Sequence, residues 1–101
     1  MKKTVNIPNA PAPVGPYSQA IIHNDLMIAS GQIAINPVNG ELNTSSVAVE
    51  LNQILKNIDA LLESAELKRE NILKCSIFLK NMNDFKEVNE IYAEYFNEPF
   101  P

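Results

Sequence analysis

The sequence predicts a single α+β domain, with two amphipathic helices on one face of a sheet. Three observations carry that prediction. Two short apolar runs flank Asn24-Asp25, a helical period starts at Ser46, and an alternating run, Ile72 to Lys80, leads into a second helical period. The order is β, β, α, β, α.

Lys3-Thr4-Val5 is a candidate short edge strand. From Pro8 to Pro16 the chain is rich in proline, which fixes φ and biases its predecessor away from the helix, so this stretch is an extended loop. Ala20-Ile21-Ile22-His23 and Leu26-Met27-Ile28-Ala29-Ser30 then form a hairpin, because Asn and Asp tolerate the left-handed backbone that a two-residue turn needs. Gly31 ends or bulges the second strand, and Gln32 to Ile35 is a candidate continuation. Asn36-Pro37-Val38-Asn39-Gly40 is a turn by composition.

Leu51, Ile54, Leu55, Ile58, Leu61, Leu62 and Ala65 recur at helical spacing, with Asn52, Lys56, Asn57 and Glu63 between them. That pattern describes an amphipathic helix with one buried face. In Ile72 to Lys80, Leu73, Cys75, Ile77 and Leu79 alternate with Lys74, Ser76 and Lys80, which predicts a third main strand with Phe78 as the exception on its polar side. Asp84 precedes Glu87 by three residues, the spacing of a capping box, and opens a helix with Phe85, Val88, Ile91, Tyr92, Tyr95 and Phe96 inward. Only five residues follow Phe96, two of them proline. A helix packed on a sheet is usually followed by a strand that rejoins it, so the expectation is either a shortened chain or an edge capped by a partner.

Composition bounds the function. The chain has 101 residues, 46% of them hydrophobic and 20% charged, as in a globular domain of one core. Its net charge of −4 opposes binding to phosphate backbones. One cysteine, Cys75, and one histidine, His23, leave no disulfide framework and no zinc constellation. Lys2 and Lys3 are a basic start, but Asn6, Pro8 and Asn9 interrupt the apolar run of a secretory signal, so the expected location is the cytoplasm.

Four positions are candidates for chemistry. Tyr17, with Ser18 and Gln19 beside it, offers a hydroxyl and a ring for a pocket wall, or packs on the sheet as a turn residue. Ser30 and Gly31 stand where a strand meets a glycine, so a hydroxyl and a backbone N–H can face one small ligand; a simple bulge explains the same residues. No base lies nearby in sequence for a nucleophilic serine. Asn89, at the margin of the second helix's apolar stripe, either serves a site or caps a neighbouring loop. Cys75 belongs to the core pattern, and Glu87, Glu90 and Glu94 form a solvated helix face.

PNAP at 8 to 11, GPYSQA at 15 to 20, SGQI at 30 to 33, NPVNGE at 36 to 41, FLKNMNDF at 78 to 85 and VNEIYAEYF at 88 to 96 together resemble the reactive intermediate deaminase family, also called RidA or YjgF. The resemblance spans essentially the whole chain as one domain, 1 to 101. It implies a chorismate-mutase-like α+β fold with both helices on one face of a mixed sheet, assembled as a homotrimer with clefts between subunits. It also implies hydrolysis of 2-imino acids or their enamine tautomers, such as 2-iminobutanoate and 2-iminopropanoate, to 2-keto acids and ammonia. No metal or organic cofactor is implied; the acidic charge argues against a nucleic-acid partner, and the lack of a long apolar stretch argues against a membrane one.

Carried over by position, Tyr17 would line the cleft, Ser30 and the Gly31 N–H would contact the substrate, and Asn89 would order the cleft. Family members continue past the Pro-Phe-Pro equivalent with an arginine that forks onto the substrate carboxylate, and a later strand supplies a glutamate. Neither lies within these 101 residues, and the single arginine, Arg69, matches no family site. The chain is therefore expected to be C-terminally incomplete, or to be a non-catalytic ligand-binding or regulatory trimer. A nuclease or translation-inhibitor role, attributed to some relatives, runs against the acidic charge.

Overall fold

The computed structural model describes residues 2–101. Among them, β1 (Lys3–Val5), β2 (Ala20–His23) and β3 (Leu26–Ala29) form one antiparallel sheet in the order β1-β2-β3. Lys3 pairs with Ile22 and Val5 with Ala20, while Ala20 also pairs with Ala29 and His23 with Leu26. The hairpin turns at Asn24-Asp25 as the sequence predicts, with Asn24 at φ 54°. An asparagine enters that left-handed region more readily than most residues because its short amide can bond locally.

Ser46 caps α1 (Val47–Ser64), its side chain accepting from the Val49 N–H at 3.1 Å. Leu55, Leu61 and Leu62 are buried on the predicted face, and Leu51, Ile54, Ile58 and Ala65 are half-buried. The second helix, α2 (Phe85–Tyr95), packs against α1. Leu55, Tyr95 and Phe96 centre the core between them, joined by Leu51, Ile58, Ile91 and Tyr92 from the helices and by Ile72 and Cys75. The Phe96 ring meets Tyr95 edge-on and Tyr92 at a tilt, both at 4.6 Å between centroids. Such pairs add to area burial because a ring edge is positive and its face negative.

Five sequence expectations need correction. Ile72 to Lys80 is not a strand among the described residues: it leaves a 3₁₀ turn at Arg69–Asn71 and runs without ladder partners. Leu73 is 79% exposed, Ile77 47% and Phe78 95%, so only Cys75 and Leu79 on the alternating side are even half-buried. A period of two describes the side chains a strand would need, but a strand exists only where a neighbour takes its backbone hydrogen bonds. For the same reason the described sheet is antiparallel, not mixed.

Gln32 to Ile35 does not prolong β3. Only Ile35 forms an isolated bridge, to Leu42, and Gly40 closes the intervening turn at φ 72°. The capping box at Asp84 does not form either. A 3₁₀ turn, Met82–Asp84, runs directly into α2, so Asp84 already has helical backbone, and the Asn81 side chain caps the turn by accepting from the Asn83 N–H at 2.9 Å.

Finally, Asn57 does not belong to the solvated face of α1. It is 1% exposed, its Nδ2 donating to the carbonyls of Ile33 at 3.2 Å and Ile35 at 3.0 Å while its Oδ1 accepts from Gln53 Nε2 at 3.0 Å. It ties the chain after β3 to the helix. Among the described residues, no helix is long and apolar enough to cross a membrane.

Candidate functional site

The proline-rich loop is held by one side chain. Gln19 is 3% exposed, and its Oε1 accepts from the Ile7 N–H at 2.6 Å. Its Nε2 donates to the carbonyls of Ile7 at 3.1 Å, Ala10 at 3.2 Å and Pro11 at 2.9 Å. Its backbone N–H donates to Asn6 Oδ1 at 3.2 Å. Prolines have no N–H to bond their own loop into a sheet, so a buried amide that gathers the loop's carbonyls takes the place of a ladder.

Two residues before this anchor, Tyr17 turns sharply, its N–H donating to the Gly15 carbonyl at 2.9 Å. Its ring lies over Gly15, where an added Cβ would meet it at 3.7 Å, and the side chain is 50% exposed. Tyr17 is thus presented at the surface, not buried against the sheet.

The end of β3 is fastened to the same loop. The Ser30 N–H donates to the Gln19 carbonyl at 3.0 Å and the Ser30 hydroxyl to the Ser18 carbonyl at 2.6 Å. The Ser30 carbonyl accepts from Gln32 Nε2 at 3.1 Å. Gly31 next to it is exposed, and a Cβ built there would touch nothing within 4 Å. Tyr17, Ser18, Ser30 and Gly31 therefore share one rigid junction, where a loop and a strand end are joined by consecutive carbonyls.

Asn89 lies elsewhere. It is exposed on α2 and lines a broad open groove of about 670 Å³ with Met82, Phe85, Lys86 and Ala93, which does not include Tyr17, Ser30 or Gly31. Phe85, expected inward, is 43% exposed beside it. Within one chain the structure brings three of the four candidates together and leaves Asn89 on a different surface.

Sequence reasoning gave Arg69 no role, yet it is the hub of a cluster. Its Nε and one terminal nitrogen bond both oxygens of Asp59, at 3.0 and 2.8 Å, and its guanidinium stacks 3.9 Å from the Tyr95 ring centre. Tyr95 in turn donates its hydroxyl to Asp59. Burial pushes the Asp59 carboxyl up, but hydrogen bonds from Arg69 and Tyr95 and the Arg69 charge outweigh it and hold the group below its ordinary value. Burial and the bond to Asp59 raise the Tyr95 phenol well above its ordinary value. Nearby, burial and then contact with Cys75 push the Tyr92 phenol up to about 12, and its hydroxyl donates to the Pro101 carbonyl at 2.8 Å. These groups staple the helices and the chain end together. Arg69, the one arginine of these 101 residues, commits its Nε and one terminal nitrogen to Asp59 there.

The family model described as endoribonuclease L-PSP matches residues 7–101. A RutC family protein of Aquifex aeolicus is 49% identical over 96 residues, covering 95% of this chain and 76% of that protein. A 2-iminobutanoate/2-iminopropanoate deaminase of Escherichia coli is 43% identical over 98 residues, covering 97% of this chain and 76% of that protein. Among solved structures, a Rid family protein from Yersinia pestis superimposes with a TM-score of 0.93 at 45% identity, covering 97% of this chain and 78% of that one.

Proposed function

The chain belongs to the endoribonuclease L-PSP family, the RidA or YjgF family, and from that premise we propose that it takes part in hydrolytic deamination of 2-imino acids. The balanced reaction converts a 2-imino acid and water into a 2-keto acid and ammonia. The observation that carries this reading is the junction of Tyr17, Ser30 and Gly31, held rigid by Gln19, in a chain 43% identical to a protein named for that activity.

An imine carbon is already electrophilic, so the protein has only to hold the substrate and orient one water. The Gly31 N–H and the Ser30 oxygen supply adjacent polar contacts, and Tyr17 supplies a half-exposed wall. Asn89 lies on a separate groove, which favours a site completed between copies of the chain, in the manner of a chorismate-mutase-like homotrimer. Exposed Leu73, Ile77, Phe78 and Met82 support such association, because a lone soluble domain rarely leaves so much large apolar surface uncovered. Light scattering on the eluting protein is expected to give three times the 11.2 kDa chain mass; a monomer overturns the shared cleft.

The activity is tested by adding the protein to a pyridoxal phosphate dehydratase acting on threonine and following ammonia release. Acceleration over the dehydratase alone supports the deaminase. A second reading, a trimer that binds 2-keto acids without turnover, is favoured by one observation: the Ser30 hydroxyl bonds a main-chain carbonyl, not a side chain that could take its proton. Saturable keto acid binding with no acceleration would establish it. The net charge of −4 works against a nuclease, and the cytoplasm, where such imines arise, is the proposed location.

A further inference from the structure

We propose that the Ser18 carbonyl, by holding the Ser30 hydroxyl proton, fixes Ser30 Oγ as a hydrogen-bond acceptor, so that the site selects the N–H of an imino group over the C=O of the keto product. The inference rests on the imino acid reading of the site.

A serine hydroxyl has one proton and two lone pairs, and a carbonyl has no proton to give. At 2.6 Å between Ser30 Oγ and the Ser18 carbonyl, the proton must therefore lie on Oγ and point at Ser18. That carbonyl stands next to an anchored residue. Ser18 precedes Gln19, whose buried amide makes four bonds to Ile7, Ala10 and Pro11 and whose own carbonyl accepts the Ser30 N–H at 3.0 Å. Ser30 is thus bound twice, through N–H and Oγ–H, to two consecutive carbonyls, and its own carbonyl is taken by Gln32. What remains free on the serine is the pair of Oγ lone pairs. Beside them Gly31 is exposed, and its backbone N–H makes no hydrogen bond among the described residues, so an acceptor and a donor stand one residue apart.

A 2-imino acid matches that pair. Its C=N–H, or C=NH₂⁺ when protonated, donates to Oγ, and a carboxylate oxygen accepts from the Gly31 N–H. The 2-keto acid has the same carbon skeleton but only acceptors, so its ketone oxygen would meet a lone pair. Sites built to bond a donor reject the analogue that lacks it, because the site group is left without its partner. Ser30 is half-buried, so water can relieve part of that mismatch, and the expected discrimination is about 10-fold rather than the thousands a sealed pocket gives. The reaction converts the donor into an acceptor at this contact, which favours product release.

The test compares wild type with Ser30→Ala on two measurements. The first is kcat/KM for 2-iminobutanoate generated in situ; the second is the affinity for 2-ketobutanoate and for 2-aminobutanoate, which carries donors at the same carbon, by calorimetry on the full chain. Ser30→Ala is expected to lower kcat/KM about 10-fold and to abolish a preference for the amino over the keto ligand, leaving 2-ketobutanoate affinity unchanged or tighter. If 2-ketobutanoate binding weakens in step with kcat/KM, Ser30 donates to the ligand and the proposal is overturned. No change in either measurement, or wild type binding neither ligand, overturns it as well. If wild type shows no turnover yet prefers the amino ligand through Ser30, the deaminase reading fails and the acceptor assignment stands. Should Ser30→Ala not fold, Ser30→Cys, whose sulfur is a weak acceptor of similar shape, carries the same expectations.

Discussion

The loop ahead of β2 and the run Ile72 to Lys80 make an instructive pair. The first has little hydrogen-bonding pattern of its own, being rich in proline, yet one buried glutamine gathers its carbonyls and fixes it. The second has the alternating pattern of a strand, yet it has no ladder partner among the described residues and exposes Leu73 and Phe78. Whether a segment becomes a strand therefore depends on whether its backbone groups find partners, and side-chain pattern alone does not supply them.

The sharpest way to break the contrast is Gln19→Ala. It leaves the carbonyls of Ile7, Ala10 and Pro11 and the Ile7 N–H without their partner, and it is expected to destabilise the protein by about 3 kcal/mol in urea unfolding. Exchange of the Ile7 amide should accelerate with it; an unchanged Ile7 amide would show that the loop holds itself. Asn57→Ala makes the analogous cut on the far side of β3 and should cost about 2 kcal/mol, since it frees two carbonyls and one buried amide.

The Asp59–Arg69–Tyr95 staple should show in the pH dependence of stability. Asp59 titrates below its unfolded value of roughly 4, so its contribution is present above that pH and is lost as pH falls through the lower folded value. Tyr95 is raised, so its contribution is full below roughly pH 10 and fades as pH rises beyond it. Asp59→Asn should flatten the acid limb by less than about 1 kcal/mol, because the pair is partly exposed and screened. Phe78→Ser is the smallest change in the other region: unfolding should move by no more than about 0.5 kcal/mol, while the self-association proposed above should weaken. A large loss of stability on that substitution would mean that Phe78 is covered after all.

Both helices, the hairpin and the edge strand β1 could be read from period and turn chemistry, because those signals are local. The burial of Asn57 could not. A polar residue between apolar positions on a wheel is indistinguishable from a solvated one until Ile33 and Ile35 bring their carbonyls to it from more than twenty residues away. Gln19 carried the same ambiguity inside GPYSQA. The sequence placed Tyr17, Ser30 and Gly31 in motifs but could not say that Ser18 binds the Ser30 proton, which depends on a contact across 12 residues. Arg69 and Asp59, 10 residues apart, had no periodic relation to reveal them.

By itself, then, the sequence determined the hairpin, the two amphipathic helices, the acidic charge and the family motifs, each written within a few neighbouring residues. The tertiary structure alone decided which polar side chains are buried and bonded, that Ile72 to Lys80 lies unpaired among the described residues, and which atoms of Ser30 remain free. Those outcomes hinge on where distant donors and acceptors meet, and neither hydrophobic period nor propensity encodes that distance.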